Sequence, residues 1–139
     1  MTASSPAAAE QELHLDRIGQ VAIVVQDTAR AVRFYRDVLG MRLLFEAPPS
    51  LAFFDCGGVR LMLTPHEGRG DAAPSSILYY RVNDLDAAHA TLLARGVRVE
   101  RAPHLVAALP DHDLRMAFLR DSEGNVLGLM SEVPRGRSA

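Results

Sequence analysis

The strongest constraint on this chain is that it repeats itself. Residues Val25-Gln26-Asp27-Thr28 through Gly40-Met41-Arg42-Leu43 recur as Val82-Asn83-Asp84-Leu85 through Gly96-Val97-Arg98-Val99. Likewise Asp55-Cys56-Gly57-Gly58-Val59-Arg60-Leu61-Met62-Leu63 recurs as Asp121-Ser122-Glu123-Gly124-Asn125-Val126-Leu127-Gly128-Leu129. A repeated supersecondary unit cannot bury its apolar face alone and must set it against the other copy. Two half-domains are implied before any single element is assigned.

Each copy reads as βαβββ. In the first, the β-branched run over residues 18–25 predicts a strand buried on both faces. Asp27 stands as N-cap of a helix over 28–39, in which Val32, Tyr35 and Leu39 recur at helical spacing and which Gly40 ends. Strands over 42–46, 51–55 and 59–64 follow, divided by Pro48-Pro49 and Gly57-Gly58. After a polar link over 65–74 the pattern restarts, with a strand over 76–82 and a helix over 85–95 between Asp84 and Gly96. Strands over 98–100, 114–120 and 125–131 complete it. The second copy differs by an insertion, residues 101–113, that carries His104, Asp111, His112 and Asp113.

Composition narrows the function classes. With 139 residues, 48% of them hydrophobic and 23% charged, the chain suits one domain with a sizeable core. A net charge of −2 with no run of like charges argues against a nucleic-acid or anionic-membrane surface. No apolar run approaches the ~20 residues of a membrane span. All 15 basic residues are Arg, and the single cysteine, Cys56, precludes an internal disulfide and fits a reducing compartment. Residues 1–13 lack a basic segment followed by an apolar one, so they read as a disordered tail rather than a secretory signal, and 134–139 as a second tail. The expectation is a cytoplasmic protein with one domain over 14–133, its modules spanning about 15–66 and about 75–133.

Two separated motifs carry a family resemblance. The run Gln20-Val21-Ala22-Ile23-Val24-Val25-Gln26-Asp27, followed by Ala31-Val32-Arg33-Phe34-Tyr35-Arg36-Asp37-Val38-Leu39-Gly40-Met41, resembles the opening of the vicinal-oxygen-chelate superfamily. The run Phe118-Leu119-Arg120-Asp121-Ser122-Glu123-Gly124-Asn125-Val126 is similar to its closing F-x-x-D-P-[DE]-G-N signature. That superfamily includes glyoxalase I, extradiol dioxygenases, methylmalonyl-CoA epimerase and the fosfomycin and bleomycin resistance proteins. The resemblance implies an α+β fold in which two tandem βαβββ modules form a curved mixed sheet around a concave pocket, with helices on the outer face. It also implies metal ligands, usually His or Glu, on the first and last strand of each half.

Carried over residue by residue, those ligand positions are Gln20, Met62, Ile77 and Gly128. The repeat pairs them independently: Gln20 matches Ile77 by the offset that relates Asp27 to Asp84, and Met62 matches Gly128 by the offset from Asp55 to Asp121. An amide, a thioether, a hydrocarbon and a missing side chain make a poor set for Mn, Fe, Ni or Zn, which take imidazole or carboxylate. The expectation is therefore no metal and no cofactor. Strand alternation puts Ala22, Val24, Arg60, Thr64, Tyr79, Arg81, Val126 and Met130 on the same side, a mostly apolar lining in which Arg60 and Arg81 could orient an anion. For both arginines, strand ends snorkelling to water is the competing reading. Tyr79 is a candidate acid set against plain aromatic packing, and Cys56 reads as an inert thiol.

His104 and His112 are the candidate catalytic residues, as acid–base groups near the pocket mouth, against local hydrogen bonding in a loop. His14, His66 and His89 default to the surface. Three readings stand: a metal-free protein binding a small, partly apolar and in some cases anionic molecule; an enzyme of lyase, isomerase or dioxygenase type using His104 and His112 or relocated ligands; and a module with a vestigial pocket. A homodimer is expected, since two half-sheets leave edges and a half-open concavity that relatives close with a second chain.

Overall fold

A computed structural model describes residues 13–65 and 76–135 of the protein. The proposed tails over 1–12 and 136–139, most of the link, and His66 lie outside the described residues.

Strand β1 (Gln20–Val25) buries Ile23 and Val25 and exposes Gln20 and Ala22, so it is covered on one face rather than on both. The cause is architectural, because one helix per module covers one side of one sheet. Helix α1 (Thr28–Arg33) begins at Asp27, whose carboxylate accepts the Arg30 backbone N–H at 3.0 Å. It does not stay α-helical. Residues Phe34–Val38 form a π-helical turn, closed by the Leu39 N–H donating to the Phe34 carbonyl at 3.0 Å. The extra residue gives the helix two apolar faces. Val32 and Tyr35 enter the first core, while Phe34, Val38 and Leu39 reach the second. Gly40, at φ 77°, then turns the chain out of the helix.

Strands β2 (Arg42–Ala47), β3 (Leu51–Cys56) and β4 (Val59–Pro65) complete a four-stranded sheet of order β1-β4-β3-β2, parallel only between β1 and β4. The second module repeats this with β5 (Leu78–Arg81), α2 (Leu85–Ala94), β6 (Arg98–Ala108), β7 (His112–Arg120) and β8 (Val126–Pro134), in the order β5-β8-β7-β6. The α+β tandem architecture expected from the repeat is present, as two separate mixed sheets rather than one continuous sheet. No described helix is long and apolar enough to cross a membrane.

The insertion over 101–113 departs from expectation. It is not a loop but the outer half of a long β6–β7 hairpin, closed by the Leu109 N–H bonding to the His112 carbonyl at 2.9 Å. The edge position of β6 tolerates Pro103, and the pairing slips between Val99 and Arg101, between Arg101 and His104, and between Leu105 and Ala107. Strand β8 likewise runs to Pro134, and Arg135 folds back so that its N–H reaches the Asp111 carbonyl at 2.9 Å and its guanidinium pairs with Asp113.

The core is double. Ile23, Val25, Val32, Tyr35, Phe54, Leu61 and Leu63 form the first cluster, and Leu85, Leu92, Val97, Leu119, Leu127 and Leu129 belong to the second. Truncating a fully buried aromatic such as Phe54 to alanine would cost about 3–5 kcal/mol. The modules are also latched by polar groups in the turn before β8. Asp121, 4% exposed, accepts the Tyr35 hydroxyl at 2.6 Å and the backbone N–H groups of Glu123 and Asn125 at 2.8 Å each. Asn125 donates to the Val24 carbonyl at 3.1 Å. Glu123 crosses to α1, where one carboxylate oxygen accepts the Gln26 and Asp27 N–H groups at 2.9 Å each, and Arg30 adds bonds of 2.7 and 3.0 Å. The closing motif is thus the joint between the halves.

Candidate functional site

The face of the first sheet turned away from its core is built by alternation. Pairing sets Gln20 beside Arg60, Ala22 beside Met62, Met62 beside Phe53 and Phe53 beside Phe45. The side chains interlock. Gln20 Oε1 accepts from Arg60 Nε at 2.8 Å, and Gln20 Nε2 donates to the Met62 sulfur at 3.8 Å. The Arg60 guanidinium lies over the Phe53 ring at 5.4 Å, a cation–π arrangement, and the Phe53 and Phe45 rings stack with centroids 4.5 Å apart. Phe53 is nearly buried, yet Phe45 is 47% exposed.

The matching face of the second sheet is organised differently. Tyr79 pairs with Gly128, Phe118 with Gly128 and His104 with Met116. A Cβ at Gly128 would stand 2.6 Å from Tyr79 Cδ2, so the ring lies directly against the glycine backbone. The space left by the missing Gly128 side chain is taken by Tyr79, which Phe118 meets edge-on at 5.8 Å. Ile77 precedes β5 and is exposed.

Arg81 is not a bare cation, because Nη2 stands 3.1 Å from Glu132 Oε1. The other Glu132 oxygen is 3.9 Å from His112 Nε2, and His112 Nδ1 is 2.7 Å from Asp111. The hydrogen bond from His112 holds the Asp111 carboxyl below its ordinary range. His104 lies on β6 with Nδ1 bonded to the Ala102 carbonyl at 2.8 Å and its ring 6.3 Å from Phe118. Among the described residues, no hydrogen bond, ion pair or ring contact joins the Gln20–Arg60–Met62 group to the Tyr79–Gly128 group. His89, expected at the surface, is half-buried on α2, with Nε2 shut off from solvent and, among the described residues, without a hydrogen-bond partner. Burial pushes the Cys56 thiol up, with Asp55 adding to it, as suits an unreactive thiol.

Glu132, Phe45, Phe53 and Phe118 are the members of these faces that sequence reasoning missed. Glu132 is legible in principle, two alternations beyond Gly128 on the same side of a β8 that runs past residue 131. The phenylalanines needed cross-strand register, which bulges such as that between Leu43 and Phe45 conceal.

The four family ligand positions can now be tested as a metal site. Gln20 Oε1 already accepts from Arg60, Met62 offers only a soft sulfur, Ile77 has no donor, and the space above Gly128 is taken by a ring. These residues do not fit a Mn, Fe, Ni or Zn ion. Among the described residues, no cluster of three His, Cys, Asp or Glu side chains is placed to hold one elsewhere.

The fold and the closing motif define a class. Residues 17–129 match the Glyoxalase/Bleomycin resistance protein/Dioxygenase superfamily, and the chain belongs to it. Among curated proteins it is similar to the uncharacterized protein YraH of Bacillus subtilis (strain 168), 27% identical over 121 residues, which cover 78% of this chain and 92% of that one. Among solved structures, a superfamily member from Sphaerobacter thermophilus superposes with a TM-score of 0.72 at 24% identity, over 86% of this chain and 100% of the other. A lactoylglutathione lyase from Agrobacterium tumefaciens gives 0.67 at 23% identity, over 83% and 92%. TioX from Micromonospora sp. ML1 gives 0.68 at 21% identity, over 85% and 100%. At these identities the solved structures speak for the fold alone.

Proposed function

We propose that this chain binds a small, partly apolar molecule without a metal, on the face formed by Gln20, Arg60, Met62, Phe53 and Phe45. The observation that carries this reading is that Gln20, at one ligand position, bonds both to Met62 at another and to the neighbouring Arg60. The stacked rings of Phe45 and Phe53 offer an aromatic floor, and the bond from Arg60 Nε to Gln20 leaves the terminal guanidinium nitrogens to an anionic group on the ligand. A second copy of the chain supplies the opposing wall, since Phe45, Tyr79 and Leu105 are 47%, 45% and 56% exposed in the single chain. The lone Cys56 fits a reducing compartment, which supports a cytoplasmic location for this activity.

The test uses anilinonaphthalene sulfonate, an aromatic anion, titrated by fluorescence. Wild type should bind saturably, Phe53→Ala should abolish binding, and Arg60→Gln should weaken it about tenfold, the scale of one charge-assisted hydrogen bond. Unchanged affinity in both variants would overturn the proposal. Light scattering reports the dimer, and a monomer at working concentration would remove the opposing wall.

The alternative, an enzyme of lyase, isomerase or dioxygenase type, draws on the His112–Glu132–Arg81 cluster, with His104 as a further acid–base candidate. Its specific support is the Asp111–His112–Glu132 chain, which orients an imidazole on the second face. Loss of turnover in His112→Ala, with anilinonaphthalene sulfonate binding retained, would favour it.

A further inference from the structure

Among the described residues, two cavities at the seam between the modules adjoin one another; the larger lies on the helical side, and the smaller is lined in part by Tyr79 of the second sheet face. The larger, about 340 Å³, is lined chiefly by Leu39, Met41, Tyr80, Ala88, Leu92 and Leu129. The smaller, about 240 Å³, lies among Ile18, Val21, Val59 and Leu78. Tyr80 and Cys56 belong to both linings, so they form the wall between the two compartments. The Tyr80 hydroxyl is sealed from solvent and, among the described residues, has no hydrogen-bond partner. A buried phenol left in this state is costly, and most native ones are satisfied by protein or by a bound group. Burial also raises its pKa, so at neutral pH it stands as a donor awaiting an acceptor.

The occupant follows from size and polarity. An apolar cavity of about 150 Å³ accommodates benzene, and the larger compartment is roughly twice that, which suits two fused rings. Arg95 stands at the rim with Nη1 donating to the Val38 carbonyl at 2.6 Å, bracing the end of α2 against the π-helical turn. Apart from Arg95 the lining carries no charged side chain and is mostly apolar, so an uncharged ligand enters at the smaller desolvation cost.

We propose that the seam is a second binding site, for an uncharged two-ring heteroaromatic molecule that lies in the larger compartment and accepts a hydrogen bond from Tyr80. A small turn of the Tyr80 ring brings its hydroxyl to the acceptor. This site is independent of the face around Arg60, and either can fail without the other.

Quinoline and naphthalene are matched probes, one with a ring nitrogen acceptor and one without. Methyl-resolved NMR titrations should show quinoline shifting Leu92, Leu127 and Leu129, and binding about tenfold more tightly than naphthalene. Tyr80→Phe, which removes an unsatisfied hydroxyl and should melt no lower than wild type, should make the two probes equal. Ala88→Leu should fill the compartment and weaken both. Shifts confined to Met62 and its neighbours, equal affinities in wild type, or a preference for quinoline that survives in Tyr80→Phe would each overturn the proposal.

Discussion

The turn before β4 and the turn before β8 are copies of one another that have taken on different work. In the first, Asp55 is half-buried and accepts a single backbone bond, from Gly58 at 3.3 Å. In the second, Asp121 is buried, binds Tyr35 and two backbone N–H groups, and the neighbouring Glu123 reaches across to the start of α1. Where the second copy has Glu123 and Asn125, the first has Gly57 and Val59. Duplication therefore preserved the backbone path while only one copy holds the polar groups that lock the halves together. The start of α2 keeps its own cap, Asp84, which accepts the Ala87 N–H at 3.0 Å, with no counterpart of the Glu123 bridge among the described residues.

The sharpest break between the two turns comes from removing each aspartate. Asp121→Ala should cost about 3 kcal/mol or more, because it strands a buried hydroxyl and two backbone donors, whereas Asp55→Ala should cost under about 1 kcal/mol. Urea unfolding of the two variants measures both, and equal losses would erase the distinction.

Acid is the next lever. Burial alone would raise the Glu123 carboxyl, but Arg30, the N–H groups of Asp27 and Gln26 and the Ser122 hydroxyl outweigh it and bring its pKa down to about 2. A depressed folded-state value means the stabilisation is complete above the unfolded value near 4.5 and is lost as pH falls towards about 2. The loss should be on the order of 2–3 kcal/mol. In Glu123→Gln that acid limb should flatten, as read from urea midpoints between about pH 2 and pH 6.

The two sheet faces offer a smaller contrast. Gly128→Ala drives a Cβ to 2.6 Å from Tyr79, but that ring is half-exposed and can swing away, so a loss of about 1 kcal/mol is expected, with a displaced Tyr79 ring signal by NMR. Gln20→Ala, on an exposed surface, should leave stability within about 0.5 kcal/mol. It should nonetheless untether Arg60 and weaken anilinonaphthalene sulfonate binding by about threefold or less, well below the Arg60→Gln effect.

Much of this architecture was legible because it is local and repeated. Asp27 and Asp84 announce both helix starts, and the two offsets relate Gln20 to Ile77 and Met62 to Gly128 from the sequence alone. What escaped depended on contacts between distant residues. The π-helical turn answers the need of Phe34, Val38 and Leu39 to face a second core, which no window along α1 contains. The hairpin was hidden because Pro103 and the register slips of an edge strand read locally as a break. Tyr79 over Gly128 joins two strands nearly fifty residues apart, and only pairing of β5 with β8 brings them together. Glu123 read as a family signature rather than a cap because its partners, Gln26, Asp27 and Arg30, lie in the other half.

That last contact also bears on how the chain is made. During synthesis the first module emerges before residue 123 exists, and domains tend to fold as they appear. Until the second module is made, the N–H groups of Gln26 and Asp27 lack the Glu123 carboxylate and the Tyr35 hydroxyl lacks Asp121, so these bonds are among the last that the growing chain can form.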